Sequence, residues 1–223
     1  MNKFHKKTID LFKKIKYERF NEYIPKKIPV HDSNGNLTLF LQPITANNIL
    51  DKFKINLLMK WRKENEFAYA SRFKITYEGT KKWINNQIIN NPTRILFFII
   101  TNEVKFKYIG HIGLSSFNFR NKSCEIDNVI RGNKKLYKGA MSLSLKALIN
   151  WTKKEIMPNN IFLRVLFDNK HAINFYIKNK FKKYKLIPLK RIIKPGIEIL
   201  KEDNKLKKSP HYFLKMVINN EKK

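Results

Sequence analysis

Residues 130–141 read IRGNKKLYKGAM, between the apolar run CEIDNVI (124–130) and the segment SLSLKALINW (142–151). The run before the stretch has strand length, and Met141, Leu145, Leu148 and Ile149 recur at helical spacing after it. The stretch is therefore a strand-to-helix turn carrying Gly132, Gly139, Arg131 and three lysines, Lys134, Lys135 and Lys138. Unpaired N–H groups at a helix N-terminus, glycines that admit a ligand to the backbone, and nearby cations together suit an anion. An ordinary basic turn has the same composition, and the stretch alone supports both readings. It lacks the Gly-Lys-Ser/Thr of a P-loop and the three spaced glycines of a dinucleotide fingerprint.

Working outward, the pattern alternates strands and helices. DSNGN (32–36) is a turn and LTLFLQPI (37–44) a strand. A helix follows, with Thr45 as N-cap and Ile49, Phe53, Ile55, Leu58 and Trp61 on its apolar face. TYEGTKKWINNQIIN (76–90) reads as a second helix, and RILFFIITNE (94–103) and KYIGHIGLSSFN (107–118) as successive strands. NIFLRVLFD (160–168) is a nearly continuous apolar run suited to a strand covered on both faces, followed by a short helix over NKHAINFYIKNKF and strands around YKLIPL and HYFLKMVIN. The expected fold is α/β, one mixed, mostly antiparallel central sheet flanked by helices, with a βαβ crossover in its middle.

Residues 1–36 are expected to be a basic N-terminal extension and 37–218 the main domain. In the extension Phe4, Ile9, Phe12 and Ile15 mark an amphipathic helix over residues 1–30, which either packs on the domain or meets a membrane surface or nucleic acid.

Composition narrows the partners. In 223 residues, 47 Lys and Arg face 17 Asp and Glu, a net charge of +30. Lys, Asn, Ile and Phe are what an AT-rich coding sequence favours, but Asp and Glu codons are AT-rich too, so a real positive field remains for a polyanionic partner. The single cysteine, Cys124, excludes an intrachain disulfide framework and a cysteine-based zinc site, and reads as core. No apolar run reaches the roughly 20 residues of a membrane span, and the start lacks a signal peptide's apolar segment, so a soluble cytoplasmic protein is expected. A protein that only binds nucleic acid is the rival reading. Against it, the aromatics fall at core spacing and no helix-turn-helix or zinc motif is present.

Taken together, strand CEIDNVI, loop RGNKKLYKGAM, helix SLSLKALINW and the downstream VLFDNKHAINFYIKNKF resemble the GNAT family of N-acetyltransferases over residues 37–190. In that family a loop of the form Arg/Gln-x-x-Gly-x-Gly/Ala caps a helix and grips coenzyme A. The resemblance implies acetyl-coenzyme A as cofactor and transfer of its acetyl group to a primary amine. It also implies that backbone groups of Val129 and Arg131 hold the pantetheine arm and that Gly139, Ala140 and Met141 face the pyrophosphate, with Lys134, Lys135 and Lys138 adding charge. Asn169 would bond the pantetheine and Tyr176 would protonate the departing thiolate, where the alternative for Tyr176 is packing on the sheet. Two positions depart from the pattern: Tyr137 stands where the loop usually has its first glycine, and Lys180 where a glycine precedes Phe181.

The amine must lose a proton before it attacks. Glu125 and Asp127, on one strand face by period two with Cys124, Ile126 and Asn128 on the other, are the candidate bases, and His111 is a further one. Either acid has the alternative of pairing with a nearby cation. The acceptor would meet the segment LLMKWRKENEFAYASRFKITYEGTKKW (57–83), where Trp61, Arg62 and Asn65 resemble members that acetylate nucleotide-linked amino sugars or protein N-termini. Arg62, Arg72 and Lys74 would meet a second pyrophosphate. A polyamine acceptor suits a chain of this charge poorly.

Overall fold

A computed structural model describes residues 3–17 and 27–218. Ten strands form one sheet in the order β1-β2-β4-β5-β6-β7-β10-β8-β9-β3. They are β1 (Ile28–His31), β2 (Leu37–Pro43), β3 (Ser71–Phe73), β4 (Ile95–Thr101), β5 (Tyr108–Asn118), β6 (Ser123–Arg131), β7 (Asn160–Leu166), β8 (Lys182–Lys194), β9 (Ile197–Glu202) and β10 (His211–Ile218). Every pairing is antiparallel except that of β6 with β7, the crossover expected from the sequence.

Helices α1 (Lys3–Tyr17), α4 (Ala140–Trp151) and α5 (Lys170–Lys178) cover one face of the sheet, and α2 (Lys52–Glu64) and α3 (Tyr77–Trp83) the other. β4 shows why both layers are needed. Its Ile95, Phe97 and Ile99 enter the α1/α4/α5 core while Leu96, Phe98 and Ile100 enter the α2/α3 core, all 1% exposed or less. The N-terminal helix packs on the domain: Phe4 and Phe12 join the first core, and the ring of Phe12 meets Phe117 edge-on at 5.5 Å. Lys16 of the same helix is buried and donates to the carbonyl of Asn91 at 2.6 Å, and burial pulls its pKa down to about 8.

Several local expectations are corrected. Helix does not extend to residue 30: Ile28–His31 is a strand paired with β2, while residues 18–26 of that expectation lie outside the described residues. Thr45 caps only a short turn, Ala46–Leu50, and α2 is capped by Asp51, whose side chain accepts from the Lys54 amide at 3.1 Å. β3 and β9 carry no expectation from the sequence.

β6 contains the irregularity that organises the site. Asn128 adopts a left-handed φ of +52°, and between the pairs Gly113↔Asp127 and His111↔Ile130 the strand carries one residue more than β5. This bulge reverses the facing of the side chains beyond it. Ile126 lies in the α1/α4/α5 core, but Ile130, which strict alternation puts beside it, lies in the α2/α3 core.

Candidate active site

Two strands part at the centre of the sheet. β6 and β7 pair only over Ser123–Glu125 with Asn160–Phe162, after which β6 runs on to Arg131 and β7 to Leu166 without pairing to each other. The β7-facing edge of β6, including Val129 and Arg131, is thus left without a strand partner. A backbone edge with unmet hydrogen-bonding groups is a place for an extended amide-bearing ligand.

The loop after β6 leads directly into α4. Gly139 takes φ +89° and caps α4, and Tyr137 takes φ +42°, the left-handed conformation that a glycine adopts without strain. The Ala140 amide bonds to the Tyr137 carbonyl at 3.1 Å. Among the described residues, the amides of Lys138, Gly139 and Met141 find no protein acceptor. Lys134, Lys135 and Lys138 are exposed around them. The Arg131 side chain turns inward and ties the loop, donating to the carbonyls of Asn133, Lys134 and Leu136 at 3.3, 3.0 and 2.9 Å. With its carbonyls held by one guanidinium, the loop leaves amides for an anion.

α5 brings Asn169 and Tyr176. The Asn169 side-chain oxygen accepts from the Ala172 amide at 3.1 Å as the helix cap. Lys180 adopts φ +68°, again the conformation of the glycine it replaces, and Asn179 donates to Ser142 Oγ, tying the end of α5 to the start of α4. Tyr176 is 8% exposed between the rings of Phe175 and Phe181. Burial, with the carboxylates of Asp127 and Glu125 in electrostatic reach, pushes its phenol well above the ordinary value, so it stays protonated at neutral pH.

The two acids separate in role. Glu125 is 5% exposed and held by the Arg164 guanidinium through Nε at 2.8 Å and Nη2 at 2.5 Å, while Arg164 also pairs with Glu202. Burial pushes the Glu125 carboxyl up against the pull of Arg164. Glu125 thus meets the alternative open to it from the sequence, pairing with a cation through both oxygens, and it does not line the acceptor-side cavity. Asp127 pairs with Arg94 at 2.5 Å, accepts from the Asn128 amide at 2.7 Å, and lines a cavity of about 250 Å³ together with His111 and Asn128. The bulge brings Asn128 to that cavity, contrary to its expected place on the face of Cys124 and Ile126. His111 is 2% exposed, and its Nδ1 lies 2.7 Å from the Asn128 carbonyl. That contact places the proton on Nδ1 and leaves the Nε2 lone pair, while burial draws the ring's pKa down to about 4.

The far wall of the cavity comes from α2, β3 and α3, including Arg62, Tyr69, Phe73, Thr76 and Trp83. The Arg62 guanidinium stacks on Tyr69 at 3.6 Å and donates to the Ser71 carbonyl at 2.6 Å, yet its Nη1 is buried without a partner. Arg94 likewise leaves Nε buried and unpartnered. The structure places the other acceptor-side residues as follows. Trp61 is 2% exposed in the core, Asn65 caps α2 by donating to the Trp61 carbonyl, and Arg72 and Lys74 are exposed outside the cavity. Arg94 and Arg164 carried no local signal, since each meets its partner across distant sequence.

The strand-to-helix turn expected from the sequence is present, and the profile of the acetyltransferase (GNAT) domain matches residues 39–182. The chain belongs to the GNAT acetyltransferase family. This acetyltransferase is acyl-coenzyme A-dependent, and acetyl-coenzyme A fits the free amides and lysines of the loop. RimL, a ribosomal L7/L12 α-N-protein acetyltransferase, superposes in its apo form with a TM-score of 0.64 at 16% identity, covering 91% of this chain and 98% of RimL. A second RimL structure, in complex with coenzyme A, superposes at 0.61 and 16% identity over 87% and 99% of the two chains. A spermidine N-acetyltransferase SpeG chimera from Vibrio cholerae and hSSAT gives 0.57 at 17% identity over 81% and 95%. FdhC, a nucleotide-linked sugar GNAT, gives 0.56 at 17% over 82% and 86%. No curated protein sequence matches the chain significantly. Among the described residues, no helix is long and apolar enough to cross a membrane.

Proposed function

We propose that the acetyltransferase acts on a primary amine whose carrier is anionic, most simply an amino sugar linked to a nucleotide. The observation that carries this reading is Arg62, which lines the same cavity as Asp127 and His111 and whose buried Nη1 has no partner. A buried guanidinium N–H without an acceptor is costly, and a phosphate oxygen supplies the missing partner. With Arg62 and Arg94 against Asp127, the cavity is net cationic, which disfavours a polyamine.

Bound acetyl-coenzyme A supplies an activated thioester. The amides of Lys138, Gly139 and Met141 bind its phosphates with Lys134, Lys135 and Lys138, and the open edge of β6 at Val129 and Arg131, with Asn169, orients its arm. Asp127 attracts the acceptor's ammonium group and takes its proton, directly or through water, while the neutral His111 offers Nε2 to the same cavity. Tyr176 keeps a proton on Oη for the departing thiolate.

The test is an acyl-transfer screen with acetyl-coenzyme A over nucleotide-linked amino sugars, peptides and polyamines, read by product mass and free thiol. Nucleotide amino sugars should gain one acetyl group, and Arg62→Met should raise their KM about tenfold or more, the worth of a charged hydrogen bond. Acetylation of spermidine or of peptide N-termini with the sugars untouched refutes the acceptor assignment.

A further inference from the structure

The β8–β9 hairpin sorts its residues by charge. Cross-strand pairs alternate between faces, so Lys190↔Lys201, Ile192↔Ile199 and Lys194↔Ile197 share one face, while Arg191↔Leu200 and Ile193↔Glu198 share the other. Both glutamates of the hairpin therefore lie on the second face, Glu198 paired with Arg191 and Glu202 with Arg164. Among the described residues, no carboxylate forms an ion pair with Lys190, Lys194 or Lys201. Between these lysines the apolar side chains stay in water: Ile197 is 42% and Ile199 36% exposed. β3 extends the face, because Phe73 pairs with Ile197, and Phe73 also lines the acceptor cavity.

We propose that this face docks on an anionic lipid bilayer and holds the mouth of the acceptor cavity at the membrane surface. Exposed aliphatic groups flanked along the hairpin by lysines without ion-pair partners match the acyl boundary and the negative headgroups together. A second copy of the chain fits less well, since it would set lysines against lysines in a molecule of net charge +30. Nucleic acid also fits less well, since isoleucines offer no ring on which a base can stack. The proposal is independent of the acceptor's identity.

The full chain is sedimented with vesicles of phosphatidylcholine alone and of phosphatidylcholine mixed with phosphatidylglycerol. Binding is expected on the mixed vesicles only, and it should weaken but persist as salt is raised. Each of Lys190→Gln, Lys194→Gln and Lys201→Gln should weaken partitioning about fivefold. The pair Ile197→Ser and Ile199→Ser should weaken it about tenfold or more, with Tm and acetylation of a soluble amine unchanged. Absence of binding, binding unaltered by these variants (as basic α1 would produce), or a concentration-dependent dimer that the Ile pair abolishes overturns the proposal. Equal loss of duplex DNA binding in the Ile variants also overturns it.

Discussion

The indole of Trp61 rests so close to Gly132 that a β-carbon at residue 132 would fall 1.9 Å from it. Trp61 belongs to the acceptor-side helix α2 and Gly132 follows β6, so this contact joins the acceptor wall to the start of the coenzyme A loop. The same indole lies 5.9 Å from the His111 ring and 6.3 Å from Phe98. Gly132 is needed here for space, since the Gly132 and Asn133 amides both bond the Ile109 carbonyl and fix the backbone in place.

Gly132→Ala should therefore cost about 2 kcal/mol or more through overpacking. Trp61→Ala leaves a cavity and costs about 3–5 kcal/mol alone. The double variant should lose distinctly less than the sum, because the new methyl occupies room the indole has left. Urea denaturation of the four proteins measures the coupling, and simple additivity would mean that the contact is not what constrains residue 132.

Tyr137 and Lys180 hold left-handed conformations at two sites where the family pattern has glycine. The strain of a non-glycine there is about 1–2 kcal/mol, offset by the smaller unfolded-state entropy of the larger residue. Tyr137→Gly should thus change stability by less than about 1 kcal/mol and leave coenzyme A binding intact. Tyr137→Val, whose branched side chain suits that conformation worse, should lower both. Calorimetric titration with coenzyme A decides: a large loss of affinity in the glycine variant would give the tyrosine ring a direct role in binding.

These positions show what the sequence could and could not disclose. The strand, loop and helix around residues 124–151 were legible because apolar periodicity and two glycines mark them locally. Tyr137 looked like a departure, yet its φ shows that the backbone geometry survives without the glycine. Asn128 was misplaced on its strand because a bulge has no periodic signature: its own left-handed conformation reverses the side chains beyond it. Glu125 and Asp127 looked equivalent at period two, and only Arg164 and Arg94, brought from other strands, distinguish them. Asn65 and Trp61 are expected as acceptor contacts from the family resemblance alone; the cap that Asn65 makes on α2 and the core packing of Trp61 have no local signature.

Tyr176→Phe keeps the ring between Phe175 and Phe181 and removes only the hydroxyl, so folding should be nearly unchanged. Turnover should fall about a hundredfold, within the range for loss of a positioned proton donor, with the affinity for coenzyme A nearly unchanged. Parallel losses in turnover and affinity would assign the hydroxyl to binding instead.

Phe12 tests whether the N-terminal helix belongs to the fold. It is fully buried on the sheet, and Phe12→Ala should cost about 3–5 kcal/mol. Thermal unfolding should remain a single transition at lower Tm. A stability within 1 kcal/mol of the parent, as judged by roughly no shift in urea midpoint, would detach α1 from the cooperative unit.

His111 gives the pH dependence. Its pKa of about 4 in the folded chain lies below the ordinary 6.5, so between those values the unfolded chain binds a proton that the folded chain does not. Stability from this group is complete above pH 6.5 and is lost as pH falls toward 4, by roughly 3 kcal/mol in all. Glu125, shifted upward, acts in the opposite sense, so the wild type alone cannot isolate the histidine. The difference between wild type and His111→Gln can, since Glu125 is common to both. That difference should narrow steadily from pH 6.5 to 4, because only the histidine must remain unprotonated to stay folded. In the same range, turnover of the wild type should show no step near 6.5 from this ring. A step there that His111→Gln removes would mean that the imidazole titrates in the working enzyme and is reached by water in a way its burial against Asn128 does not allow.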